Sequence, residues 1–330
     1  MDTPTPTPAQ TRWQALGYGL FLHFGPNTFA GTAWGDGTFP AARVDLRGVD
    51  ARQWAGMAAE AGMKYALLTV KHHDGYCLWP TRQTDYCVRA SPGGRDVFGD
   101  FVSACRAAGL RPGFYYSLWD RHEPCYEDDV AYAAFMRAQM TELLTGYGDL
   151  VEVWFDGAWD KDYPTRHWEF NPAWERDPAA ANYRPGVRWE WAALYAHLHQ
   201  LQPELMVLNN SSSDRPGVPR VFPVDARTCE HFDFVYNGRG WPAATRCDWT
   251  DPAGRAVYLP LEYDVTMGRD WFYLEKSWYV HPSAATLVDW YRRARAVQAN
   301  LLFNLGPTPA GVLPEYHRPY LRAAAQELWG

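Results

Sequence analysis

Asp156 ends the run Val151-Glu152-Val153-Trp154-Phe155-Asp156-Gly157, an apolar stretch that delivers one carboxylate and then a glycine. A buried parallel strand with a lone acid at its carboxyl end is how α/β proteins present a catalytic group to the mouth of the fold. Two more acids, Glu230 and Glu262, stand near the ends of later strand-like segments. Two carboxylates converging on one pocket are the equipment of glycoside hydrolysis, one attacking the anomeric carbon or activating water and the other protonating the leaving oxygen. Asp156 is the expected nucleophile. Spacing alone leaves Glu230 and Glu262 both open as the proton donor. Phe232, Phe234 and Tyr236 beside Glu230, and Tyr263 and Trp271 near Glu262, would desolvate either acid and keep it protonated.

The pair His72-His73 follows Lys71 at the end of another strand-like run. Adjacent strand residues point to opposite faces, so both reach one centre only if the strand has already ended. Neither residue belongs to an HxH or HExxH pattern, which favours recognition of sugar hydroxyls over metal ligation. His23 closes the first apolar run, and Trp34 and Trp154 offer either sugar platforms or core packing. No metal and no cofactor is expected.

Strand-like runs at 18–24, 65–70, 113–118, 150–155, 205–208, 221–224, 258–263 and 301–305 alternate with helical patterns. No break in composition marks a linker. The alternation predicts an α/β chain built as one (β/α)8 TIM-like barrel over residues 11–330, after a disordered Thr/Pro lead-in at 1–10. A polar, Pro-rich insertion at 159–185 and the segment 237–255 are expected to shape the acceptor side of the mouth.

Composition removes other classes. With a net charge of -7 and no Lys/Arg stripe, neither nucleic acid nor an anionic membrane is an expected partner. No apolar run approaches the roughly 20 residues that cross a bilayer, and the first ten residues lack the basic and apolar regions of a secretory signal. The six cysteines form no CxxC pair, so reduced thiols and a cytoplasmic location are expected, with a Cys77–Cys87 bridge left open. Aromatics make up 16% of the chain, enough to build a core and still line a sugar site. Oligomeric state is not set by these features.

Taken together, Gly19 to Phe29, Lys64 to Trp79, Gly113 to Trp119, Val153 to Gly157 and Asn300 to Pro307 resemble the motifs of the α-L-fucosidases of glycoside hydrolase family 29. The similarity runs from about Trp13 to Gly330. It implies an exo-acting hydrolase that retains configuration through a covalent glycosyl-enzyme, with fucosylated glycosides as substrates. Asp156 would be the nucleophile and His23, His72 and His73 would bind fucose hydroxyls. Trp34, Tyr116, Trp154 and Trp271 would line the pocket. Thr228-Cys229-Glu230 fits the family's Thr-x-Glu pattern for the acid/base, whereas Glu262 resembles a structural Glu upstream of the pocket aromatic and joins the substrate-binding group.

Three features depart from the family pattern. Ala33 stands where many members carry a Glu, the stretch Asn209 to Arg215 lacks their compact Asn-Arg arrangement, and no C-terminal β-sandwich is expected after the last helix. Ala33 motivates the alternative of a related sugar such as an α-L-galactoside. A barrel that binds carbohydrate without turnover is the other alternative.

Overall fold

The computed structural model describes residues 4–157, 189–210, 221–230, 248–250, 255–266, 270–275 and 283–330. The strands, in chain order, are β1 (Tyr18–Leu22), β2 (Tyr65–Lys71), β3 (Arg111–Ser117), β4 (Glu152–Asp156), β5 (Met206–Asn209), β6 (Ala226–Glu230), β7 (Asp248–Thr250), β8 (Ala256–Tyr258), β9 (Leu261–Thr266) and β10 (Asn300–Leu305). Eight of them close a barrel in the order β1, β10, β9, β6, β5, β4, β3, β2, and every pairing is parallel. β7 and β8 form a separate antiparallel pair. The expected (β/α)8 barrel is what the chain forms.

Strand alternation sorts the side chains into two cores. Phe21, Leu67, Tyr115, Trp154, Leu208 and Leu302 fill the barrel interior. Their neighbours Leu20, Leu68, Phe114, Phe155, Val207 and Phe303 pack outward against the helices. Both faces of a parallel barrel are covered, which is why these strands read as unbroken apolar runs. The described helices are α1 (Pro8–Gln14), α2 (Pro26–Ala30), α3 (Ala51–Glu60), α4 (Val97–Ala107), α5 (Asp129–Gly146), α6 (Trp191–Leu201), α7 (Ala284–Ala296) and α8 (Arg318–Trp329). Side chains of Asp50, Asp96, Asp128 and Ser283 accept backbone N–H groups at the starts of α3, α4, α5 and α7, satisfying donors that a helix cannot pair internally.

Three expectations are corrected. The lead-in is shorter than residues 1–10: α1 begins at Pro8 under a reciprocal capping box between Thr7 and Gln10. Gln10 then donates to the carbonyls of Asp225 and Tyr258 at 2.8 and 2.9 Å, which ties the chain start to the barrel. The sixth strand is Ala226–Glu230 and not 221–224, and the seventh barrel strand is Leu261–Thr266 and not 258–263. β6 hid from a hydrophobicity reading because Thr228 and Glu230 alternate with Arg227 and Cys229. Arg227 is buried, and its Nε donates to the Leu259 carbonyl at 3.0 Å. The insertion at 159–185 and most of the segment 237–255 lie outside the described residues.

One irregularity in β2 matters for function. Thr69 pairs with Tyr115 but Lys71 pairs with Tyr116, so the register slips by one residue at Val70. Such a bulge reverses the side-chain parity beyond it. Lys71 therefore lies on the outer face, where its Nζ meets Asp120 at 2.6 Å and the Tyr116 and Tyr132 hydroxyls at 3.1 and 3.2 Å. The residue after it turns inward.

Candidate active site

The carboxyl ends of the barrel strands surround a cavity of about 400 Å³, counted to its open mouth. Asp156, the last residue of β4, sits in its wall. Its Oδ1 accepts the Gly157 N–H at 2.8 Å and the Asn210 side-chain amide at 3.1 Å, and its Oδ2 accepts the Tyr115 hydroxyl at 2.8 Å. Three donors fix the orientation of the carboxylate. Gly157 has φ of +72°, and a Cβ there would come within 2.9 Å of the Trp119 Cβ, so the turn that exposes Asp156 requires glycine.

Glu230, the last residue of β6, faces the same cavity. Asn210 Nδ2 donates to Glu230 Oε2 at 3.0 Å as well as to Asp156 Oδ1 at 3.1 Å. One amide nitrogen thus bridges the two acids and holds these oxygens within about 6 Å of each other. Carboxyl pairs in retaining glycosidases stand about 5–5.5 Å apart, against about 6.5–9.5 Å in inverting ones.

The three expected histidines all line this cavity. The bulge turns His72 inward, and His73 follows the end of the strand, so neighbours in sequence share one pocket with ring centroids 4.1 Å apart. Burial pushes His23 down to about 3 and His73 down to about 4, and it drives His72 well below its ordinary value. All three are neutral at pH 7. The Asn304 amide donates to the Trp271 carbonyl at 2.7 Å, so its oxygen takes the proton on His23 Nδ1, also at 2.7 Å. Ser117 Oγ donates to the Trp119 carbonyl at 2.7 Å and accepts from His73 Nδ1 at 2.6 Å. In both rings Nε2 is left as an acceptor. His73 Nε2 lies 3.6 Å from Asp156 Oδ2, too far for a direct hydrogen bond.

Trp34, Trp154 and Trp271 complete the wall with Phe21 and Tyr115. Trp34 meets His73 edge-on at 5.1 Å, and Trp271 lies 5.3 Å from His23. Two expected residues do not reach the cavity. Tyr116 points outward, because it is the odd neighbour of inward Tyr115, and its hydroxyl donates to Gln139 at 2.6 Å. Glu262 is the second residue of β9, not its end, and sits at the barrel floor, where it accepts the Tyr65 hydroxyl at 2.5 Å.

The cavity also holds residues that the sequence reading passed over: Phe21, Tyr115, Asn210 and Asp264. Period-two counting gives Tyr115 from Ser117 and Asp264 from Glu262. Asn210 lies one residue past β5, where strand counting stops working. Phe232, Phe234 and Tyr236, expected to desolvate Glu230, lie outside the described residues. Among the described residues no group of three His, Cys, Asp or Glu side chains is arranged to hold a metal ion.

Fold and site define a (β/α)8-barrel protein whose carboxyl-end rim carries a bridged acid pair in an aromatic-walled pocket. The alpha-L-fucosidase family model matches residues 38–328, and the chain belongs to that family. A relative from Oryza sativa subsp. japonica is 37% identical over 94% of this chain and 56% of its own length. Alpha-L-fucosidase 1 of Arabidopsis thaliana is 33% identical over 94% of this chain and 58% of its own. Among solved structures, a glycoside hydrolase 29 family member from an unknown rumen bacterium superposes with a TM-score of 0.80 at 29% identity, covering 99% of this chain and 57% of that one. The chain therefore spans little more than half the length of each of these three relatives.

Proposed function

We propose that this chain is a retaining, exo-acting α-L-fucosidase that removes terminal fucose from glycosides or glycans. The observation that carries the reading is the single Asn210 amide bridging Asp156 and Glu230 within about 6 Å. A separation of that order lies below the range that admits an attacking water between acid and anomeric carbon, which favours attack by an acid itself. Asp156 is held by three donors and opens onto the cavity, so it serves as nucleophile. Glu230 protonates the departing glycosidic oxygen as the bond to Asp156 forms. It then takes a proton from the water that cleaves the glycosyl-enzyme, and the two inversions return the starting configuration.

The neutral imidazoles suit the sugar. Each can bond a hydroxyl without placing a cation beside the oxocarbenium-like transition state, where positive charge would be repelled. Trp34, Trp154 and Trp271 supply apolar faces for the ring and its methyl group. The assignment of a cytoplasmic location rests on thiols: Cys77, Cys87, Cys105, Cys125 and Cys229 are all unpaired.

The test is proton NMR of an aryl α-L-fucoside during hydrolysis. The expected first product is α-L-fucose, which then mutarotates. First appearance of the β-anomer would overturn retention, and no turnover of the fucoside with turnover of an aryl α-L-galactoside would reassign the sugar.

A further inference from the structure

Asp264 lies on β9 two residues past Glu262, on the inward face of the strand. It is fully buried and lines the cavity that holds Asp156 and Glu230. Both of its carboxyl oxygens are sealed from solvent, and neither has a hydrogen-bond partner on another described residue. A buried polar group left unpaired is costly, and folded proteins rarely keep one without a use. Three polar side chains of the rim are engaged with other groups. Asn210 bridges the two acids, Asn304 holds His23, and Tyr115 donates to Asp156.

We propose that Asp264 is a substrate-contacting residue whose carboxyl exchanges hydrogen bonds with a hydroxyl of the sugar in the pocket. The inference rests on reading the cavity as the sugar site, and it adds a contact that the sequence motifs did not indicate. Neutrality follows from the surroundings. Burial and the acids Glu230, Glu262 and Asp156 all raise the cost of ionising Asp264. A neutral carboxyl offers one O–H donor and one carbonyl acceptor, a pairing that matches a sugar hydroxyl, which also gives one and takes one. The unmet bonding capacity is then met by substrate.

Two variants separate this role from packing. Asp264→Leu replaces the carboxyl with an apolar group of similar size, and Asp264→Asn restores a neutral donor and acceptor. Kinetics on an aryl α-L-fucoside, inhibition by an L-fuco-configured iminosugar and thermal melting are measured together. For Asp264→Leu the expected result is a loss of roughly 10- to 100-fold in kcat/KM and a matching weakening of the inhibitor. Its melting temperature should stay level or rise, because an unpaired carboxyl has left the interior. Asp264→Asn should recover at least half of the loss on a logarithmic scale.

Kinetics and inhibition within about twofold of wild type for Asp264→Leu would overturn the proposal. So would a lowered melting temperature in both variants with parallel losses of activity, which marks a structural group. If wild type hydrolyses another aryl glycoside but not the fucoside, the fucosidase reading has failed and the same variants are scored on that glycoside. Absence of iminosugar binding by wild type in calorimetry would end both.

Discussion

The two ends of the barrel interior hold carboxyl groups in opposite states. At the rim, Asp156 accepts from three donors, and Asn210 ties it to Glu230. At the floor, Glu152 and Glu262 are fully buried, each with one oxygen bonded, Glu152 to Trp13 and Glu262 to Tyr65. The remaining oxygen of each has no hydrogen-bond partner, and burial raises the pKa of both, so the pair favours the protonated form. Two pairs of acids in one barrel thus differ: the proposed catalytic pair stands at the cavity rim, and the other closes the bottom. Donor supply and depth separate them, and residue type does not.

The largest effect expected from that contrast is at the rim. Asp156→Ala should lower kcat on an aryl α-L-fucoside by roughly 10⁴-fold or more, and Glu230→Ala by about 10²- to 10⁴-fold, with less loss on substrates bearing good leaving groups. Added azide sharpens the assignment. It should rescue Asp156→Ala to a glycosyl azide of inverted configuration and Glu230→Ala to one of retained configuration. The same configuration from both variants would mean that the two roles are wrongly divided.

How much of this could be read from the sequence follows the same depth axis. Asp156 was legible because an apolar strand ending in Asp-Gly is a local pattern, and the eight-strand alternation fixed the fold class. Glu262 looked equivalent to Glu230 because strand ends were inferred from hydrophobicity, and β6 and β9 carry inward polar residues that blur their limits. A slip of a few residues along β9 moves an acid from rim to floor. Tyr116, which the family resemblance points to, faces outward, and its neighbour Tyr115 holds Asp156, because adjacent strand residues take opposite faces. The His72-His73 pair was left with two readings because only the bulge at Val70, invisible in residue types, allows both to face inward.

Behind the rim, on the outer face of β2, a buried ion pair immediately precedes those histidines. Lys71 is fully buried, 2.6 Å from Asp120, and that carboxylate also caps the backbone N–H groups of His122 and Glu123. Asp120 holds Lys71 protonated despite the burial that opposes its charge. Lys71→Met should destabilise the fold by about 3–5 kcal/mol in urea unfolding, since it strands Asp120 as a buried unpaired charge. Adding Asp120→Asn should regain part of that loss. A double variant as unstable as the single one would show that the lysine's aliphatic packing, and not the ion pair, carries the effect.

The smallest effect lies at the floor, and its sign distinguishes it from the rim. Burial raises the pKa of both Glu152 and Glu262, so the native state keeps protons that the unfolded chain gives up at ordinary glutamate values near 4.3. In that window the unfolded state binds fewer protons than the native state, and stability falls as pH rises, by up to about 1.4 kcal/mol per pH unit for each proton retained. The neutral histidines act the other way. Their folded values lie below the usual 6.5, so they add stability as pH rises from about 4, an effect complete near neutrality. Measured from pH 7 to 8.5, the falling slope of wild-type stability should flatten in Glu152→Gln/Glu262→Gln, because amides satisfy Trp13 and Tyr65 without a proton to lose. An unchanged slope in the double variant would place the alkaline weakness at other buried acids, with Asp74, pushed up to about 7 by burial, the next group to substitute.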